Sequence, residues 1–187
     1  MRMTRAIFYT ASTLNGFLAD EHDSLEWLFA VPDADTGGDF AGFLAGIGAL
    51  VQGSSTYEWV VAHEDLVAHP EKWPGYYGDR PTFVFTTREL PVVPGVDIRF
   101  VSGRVEDHWA VIATASGERD VWVVGGGDLA GQFVDAGHLD ELVVTFAPAT
   151  LTSGKPLLPR NLGVDRLTLV DAARKGPFAA LRYRVTA

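Results

Sequence analysis

No cysteine occurs in the 187-residue chain. That excludes disulfides, a thiolate nucleophile, iron–sulfur clusters and cysteine-based zinc sites, and it agrees with a cytoplasmic location. Basic residues are in the minority: 15 Lys and Arg stand against 24 Asp and Glu, a formal net charge of −9. Nucleic acids and anionic membranes require a cationic surface, so neither is an expected partner, although an acidic average leaves room for a local phosphate site. Long apolar runs are missing as well. The short run that follows Met1–Arg5 is soon interrupted by Asn15, Gly16, Asp20 and Glu21, so neither a signal peptide nor a membrane span is expected. There is no solenoid repeat and no low-complexity segment, and 20 Gly and 10 Pro interrupt every stretch long enough for a coiled coil.

What is present is the composition of a folded domain. Apolar residues make up 47% and charged residues 21% of the chain, and the length fits one domain spanning residues 1–187. Short strands read at 6–9, 49–51, 82–85, 98–101 and 121–124. Helical spacing appears at Phe40, Phe43, Leu44 and Ile47, from Ser55 onward, over Val105 to Ala115, and at Leu129, Phe133 and Val134 before Gly137. Ser24 is placed to cap a short helix through Leu25, Trp27 and Leu28, and the stretch from His63 to Pro81 reads as a surface loop. Strand then follows strand, at 139–146, 167–170 and 181–185. Alternation over the first two thirds predicts parallel crossovers with helices on both sheet faces, and the end predicts antiparallel additions at one edge. The expected fold is a three-layer α/β domain around a mixed, mostly parallel sheet. Its C-terminal edge is one on which a homodimer can form.

Three strand ends carry phosphate-compatible groups. In Val121–Leu129 an apolar strand runs into Gly125, Gly126 and Gly127, and a helix begins at Asp128 and Leu129. Glycines allow close backbone approach and a helix N-terminus offers unpaired N–H groups, a combination suited to a pyrophosphate; a tight strand-to-helix turn is the plainer alternative. The spacing is not that of the common Rossmann fingerprint. At the second junction Gly53 precedes Ser54, Ser55 and Thr56, which suit either a phosphate or ordinary helix capping. At the third, Thr86, Thr87 and Arg88 follow a strand, with Arg88 either a phosphate partner or an exposed loop cation. Ligands gather at the carboxyl ends of strands in open α/β sheets, which gives the coincidence of all three its weight.

Taken in order, Asn15-Gly16-Phe17-Leu18-Ala19, Gly53-Ser54-Ser55-Thr56-Tyr57-Glu58, Thr86-Thr87-Arg88 and Gly125-Gly126-Gly127 resemble the dihydrofolate reductase-like superfamily. Within it the closest resemblance is to the bacterial branch related to the C-terminal reductase domain of RibD. Ser24-Leu25-Glu26-Trp27-Leu28, Leu139-Asp140-Glu141-Leu142 and Gly154-Lys155-Pro156-Leu157 are similar to that branch too. The resemblance implies a mixed eight-stranded sheet and hydride transfer from NADPH. It places Ala11, Asn15, Gly16 and Leu18 over the nicotinamide, and Gly53, Ser54, Ser55 and Thr56 at the phosphates and adenosine side. Thr86, Thr87 and Arg88 fall near the adenosine ribose and its 2′-phosphate. Gly126, Gly127, Asp128 and Leu129, behind Gly125, receive the pyrophosphate. Family members often carry a basic residue where this chain has Ser54, so Arg88 is left as the obvious cation and NADH stands as an alternative to NADPH.

Glu26 is the candidate acid, acting through a water, and Trp27 the candidate substrate-pocket wall. Both have plainer readings, as a solvated helix carboxylate and a core aromatic. The substrate class expected is a small heteroaromatic, pteridine- or pyrimidine-like, or a carbonyl or imine compound, rather than folate. A non-catalytic nucleotide- or small-ligand-binding protein on the same fold is the alternative. A further reading, the pyrimidine reductase step of riboflavin synthesis, would want additional cations such as Lys155 and Arg160. The five scattered histidines fit no zinc spacing, so no metal is expected.

Overall fold

Ala6, Phe8, Ala49, Val51, Val121 and Val123 pack into one buried cluster, while Leu50, Val84 and Trp122 pack into another. Neighbouring residues of one strand thus serve two cores, the signature of a sheet covered on both faces. The structure is a computed structural model and describes residues 4–32 and 40–186. Residues 1–3, read above as leading into the first strand, lie outside it.

The strands are β1 (Ala6–Thr13), β2 (Phe17–Ala19), β3 (Ile47–Gly53), β4 (Thr82–Phe85), β5 (Ile98–Val101), β6 (Asp120–Gly125), β7 (Leu139–Ala147), β8 (Lys155–Pro156), β9 (Leu167–Lys175) and β10 (Phe178–Val185). The helices are α1 (Glu26–Phe29), α2 (Phe40–Ala45), α3 (Ser54–His63), α4 (Trp73–Tyr77), α5 (Val105–Ser116) and α6 (Gly127–Asp135). Eight strands form one sheet in the order β5-β4-β3-β6-β1-β7-β10-β9; β2 and β8 form a separate pair. All neighbours from β5 to β7 are parallel, and β10 runs antiparallel to both β7 and β9. Helices α5 and α6 cover one face through Val105, Ile112, Leu129 and Phe133; α3 and α4 cover the other through Tyr57, Val61, Trp73 and Tyr77. This is the expected three-layer α/β architecture. No helix among the described residues is long and apolar enough to cross a membrane.

Three local expectations change. The helix over 40–47 stops at Ala45, and Ile47 opens β3 with its side chain buried. Leu25, not Ser24, is the N-cap of α1, although the Ser24 hydroxyl still accepts a bond from the Glu26 N–H at 3.2 Å. The stretch 63–81 is no mere surface loop: it forms a short 3-10 turn at Pro70–Lys72 and then α4, and it buries Leu66, Trp73 and Tyr77. Those side chains join the second core, and their burial organises a segment whose Pro and Gly content reads as irregular. Burial also pushes the Tyr77 hydroxyl up to about 12.

At the end of the sheet away from the cleft described below, Arg5 joins Asp120 of β6 (2.6 Å) and Glu141 of β7 (2.5 Å). Arg182 of β10 closes a second fork on Glu141, at 2.9 and 2.8 Å. The ionic cluster ties four adjacent strands together. The outer strand β9 is exposed along most of its length, with Leu169 and Val170 among its exposed side chains.

Candidate active site

Strands β3 and β6 are neighbours, yet the helices that follow them leave toward opposite faces: α3 to the Tyr57 side, α6 to the Phe133 side. A crevice must open between two such helices at the carboxyl edge of the sheet, the arrangement in which α/β folds place ligands. Here it widens into a cleft of about 550 Å³. Gly53 and Gly126 are the N-caps of α3 and α6, both in extended conformation, and neither helix has a side-chain cap. Two sets of first-turn amides, with the positive ends of two helix dipoles, therefore meet at one place.

Glycine makes this meeting possible. A Cβ on Gly53 would lie 3.6 Å from both the Gly125 carbonyl oxygen and the Gly126 nitrogen, so the two turns are in contact. The Thr56 hydroxyl reaches over the second turn, 3.2 Å from where a Gly125 Cβ would stand. Gly127 is more tightly placed: its Cβ would sit 2.3 Å from the Pro156 carbonyl oxygen and 2.4 Å from that of Leu157. Only a residue without a side chain lets the first turn of α6 rest on the end of β8 and the residue after it. Ser54 and Ser55 add their hydroxyls to the same wall.

Of the residues expected to hold a cofactor, Ala11, Leu18, Gly53, Ser54, Ser55, Thr56, Gly125, Gly126, Gly127, Asp128 and Leu129 all line this one cleft. Asn15 and Gly16 stand behind its wall. The Asn15 amide donates to the Leu151 carbonyl at 2.6 Å and accepts from the Leu151 N–H at 3.2 Å, and the Gly16 carbonyl accepts from the Leu157 N–H at 2.8 Å. They set the loop that carries Leu18 and Ala19. Thr86, Thr87 and Arg88 follow Phe85, the last cleft residue of β4, and are not part of the lining. The Arg88 guanidinium closes a two-pronged pair with Glu58 of α3, at 3.1 and 2.5 Å.

Trp27 lines the cleft as expected, beside Leu25 and Leu28. Its ring also packs on the cluster of Val31, Ala147 and Phe178, and its indole nitrogen is buried with no hydrogen-bond partner among the described residues. Glu26, on the same short helix, is exposed and off the lining. Residues not expected there include Thr10, Asp23, Trp59 and Val60; of the two cations that a phosphorylated substrate would want, Lys155 is on the lining and Arg160 is not. Trp59 and Val60 were within reach of a sequence argument, since they stand four residues after Ser55 and Thr56 and so share their helix face.

Asp128 opens α6 with a carboxylate that accepts from Gln132 at 2.9 Å and from Arg160 at 3.1 Å. The Gln132 bond foremost, with the Arg160 charge, holds its pKa below the usual carboxylate range. Arg160 lies across Gly131, where a Cβ would be 2.7 Å from the guanidinium carbon, and also binds Asp135 at 2.7 Å. It is a strut of α6 and not a spare cation. Because the folded carboxyl is the stronger acid, its stabilising contribution is present above the unfolded pKa and is lost as pH falls through the folded one. Asp128→Asn is expected to lower stability at neutral pH by only about 0.5 kcal/mol, the scale of an exposed pair. The difference from wild type should vanish in acid. Denaturant melts at neutral and acidic pH check this, and a gap that widens toward acid would refute it.

By fold the chain is an open α/β protein with a cleft at the sheet's carboxyl edge. Its family is narrower: residues 76–178 match the RibD C-terminal domain, and the chain belongs to that family. The protein YwjB of Bacillus subtilis (strain 168) is 25% identical over 179 residues, which cover 96% of this chain and 97% of YwjB. A solved protein of Shewanella sp. PV-4, ascribed to riboflavin biosynthesis, superposes with a TM-score of 0.78 at 22% identity, covering 98% of this chain and 100% of that one. Dihydrofolate reductase of Enterococcus faecalis, complexed with NADP(H) and RAB-propyl, superposes with a TM-score of 0.63 at 17% identity, covering 99% and 97%. The resemblance to the dihydrofolate reductase-like fold and to the RibD branch is thus established.

Proposed function

We propose that the protein is a reductase that uses a nicotinamide dinucleotide, NADPH first and NADH second, to reduce a small pteridine- or pyrimidine-like ring or a carbonyl or imine compound. The observation that carries this reading is the convergence of two uncapped helix N-termini, three hydroxyls and a glycine turn on one cleft. That donor set suits a pyrophosphate and leaves an apolar end, walled by Leu18, Leu25, Trp27 and Trp59, for two stacked planar rings. Membership of the RibD C-terminal family supports a reductase, and the dihydrofolate reductase neighbour carries NADP(H).

When bound, the dinucleotide supplies the hydride. The chain's own part is to hold and to exclude. Amides of α3 and α6 fix the phosphates; Ala11 and Leu18 seat the nicotinamide face; Trp27 and Leu28 keep water from the reacting ring. Exposure of Glu26 favours a substrate that takes its proton from solvent, and it also sustains a second reading, a ligand-binding protein without turnover. We propose that the exposed strand β9 is the contact of a homodimer.

The test is a titration with NADPH and with NADH, followed by nicotinamide fluorescence, then a screen of pteridine, pyrimidine and carbonyl compounds for loss of nicotinamide absorbance. Saturable binding with turnover supports the reductase. Binding with no turnover favours the non-catalytic reading. No binding of either dinucleotide at millimolar concentration overturns the reductase and favours a binding protein for another small ligand.

A further inference from the structure

Three rings lie nearly parallel where α1 comes against α3. Those of Trp59 and His63, one helical turn apart on α3, stack with centroids 4.4 Å apart and planes 13° from parallel. Phe29, the last residue of α1, lies 5.4 Å from the His63 ring at 5° and 6.2 Å from the Trp59 ring at 17°. Phe29 is 57% exposed and the His63 side chain 46%. Among the described residues, none of the three joins a buried cluster of the fold. Their contact is therefore not core packing. It is a surface stack, held by the attraction of flat rings, that draws α1 onto α3.

The stack stands at the end of the cleft. Trp27 and Leu28 of α1 form one wall of its apolar part, and Trp59 and Val60 of α3 form another. The lining stops with them: Phe29 and His63 touch Trp59 from outside and are not part of it. Ser54, Ser55 and Thr56 fix the first turn of α3 at the polar end, so the helix runs along the cleft and reaches the stack in its last turn. A cleft ends where its walls touch, and these two touch through three rings. Little else secures α1 on that side. It has four residues, none of them buried, and no side-chain cap, and Trp27 and Leu28 tie it to the cluster of Val31, Ala147 and Phe178. The closure thus depends on two side chains, Phe29 and His63, that can be removed without altering the lining.

We propose that the stack of Phe29, His63 and Trp59 is an end wall that limits the length of the compound this cleft takes. A ring without an arm lies between Trp27 and Trp59. A ring with an apolar arm directed along α3 meets the stack and binds only by parting Phe29 from His63. Trp59 is the face of the wall; His63 and Phe29 are positioning residues that hold it from behind. In an apolar cleft left open at this end, a benzyl arm would cover new apolar surface and tighten binding by roughly tenfold or more. The wall cancels that gain. The inference rests on the reductase reading for the kind of ring.

A matched pair of probes tests it: 2,4-diaminopyrimidine and 5-benzyl-2,4-diaminopyrimidine, which share a head and differ by one uncharged apolar arm. Their binding is measured on the wild-type chain and on Phe29→Ala, Phe29→Leu and His63→Ala, with each variant's melting temperature as a check on folding. On wild type the two should bind within about twofold of each other. Phe29→Ala should leave the bare ring unchanged and tighten the benzyl compound roughly tenfold, and His63→Ala should do the same to a smaller degree. Phe29→Leu, which keeps bulk and loses the flat ring, should fall between wild type and Phe29→Ala. A gain confined to the long probe is a result that a merely structural role of Phe29 does not produce. A benzyl compound already tenfold tighter on wild type, a ratio that no substitution moves, or no saturable binding of either probe at millimolar concentration overturns the proposal. NADPH titrated into the same samples separates the failures. If NADPH saturates and the ratio stays fixed, the end wall falls alone; if the ratio shifts as expected and NADPH does not bind, the reductase reading falls.

Discussion

One methyl group at Gly127 is expected to destabilise the protein by about 3 kcal/mol, the upper range for overpacking. The side chain of Gly127→Ala would stand 2.3 and 2.4 Å from two backbone carbonyl oxygens, those of Pro156 and Leu157, which have no rotamer by which to move away. Either α6 or the end of β8 with the residue after it must shift, and each carries cleft wall. Gly126→Ala makes the instructive contrast. The nearest atom to its Cβ is the Thr56 hydroxyl oxygen at 3.9 Å, and its φ of −86 suits any residue. Its stability loss should be about 1 kcal/mol, the difference between glycine and alanine at an N-cap. Its dinucleotide affinity should nevertheless fall roughly tenfold, because the methyl stands where a pyrophosphate approaches the backbone. Chemical denaturation and a dinucleotide titration on both variants read the two effects. Equal stability losses at the two positions would contradict this account of the turn.

The second large effect concerns which dinucleotide is used. Arg88→Ala is expected to weaken NADPH by roughly ten- to a hundredfold, the range for a hydrogen bond to a charged group, and to leave NADH nearly unchanged. In the structure both prongs of Arg88 are taken by Glu58. To serve a 2′-phosphate the guanidinium must leave that carboxylate, and Glu58 competes with the ligand as well as repelling it. Glu58→Gln should therefore tighten NADPH severalfold while NADH stays put. Affinities of both dinucleotides for wild type and the two variants provide the check. If each variant shifts NADPH and NADH alike, Arg88 does not discriminate between them.

The Arg88 case shows where sequence reading ends. Thr86-Thr87-Arg88 after a strand marks a cation at the right end of the sheet, but nothing in the local pattern says that Glu58, thirty residues earlier, closes on it. Glu26 and Lys155 show the same limit in opposite senses. Glu26 precedes a cleft tryptophan in sequence, yet a helix of four residues turns it outward. Lys155 looks like an ordinary late surface residue, and the pairing of β8 with β2 brings it to the cleft across more than a hundred residues of chain.

The sequence by itself determined the layers and the edge that bears the site. Buried strands alternating with amphipathic helices leave a parallel sheet few topologies, and glycine and hydroxyl residues at strand ends mark the carboxyl edge, because both signals are local and short in range. The tertiary structure alone decided three things: the order of strands that sends α3 and α6 to opposite faces, the burial of Trp73 and Tyr77 in a segment that reads as loop, and the pairing of Arg88, Lys155 and Arg160 with carboxylates far away in the chain. These depend on contacts between residues far apart in the chain, where the energy of a side chain is set by what the fold places against it and not by its neighbours in sequence.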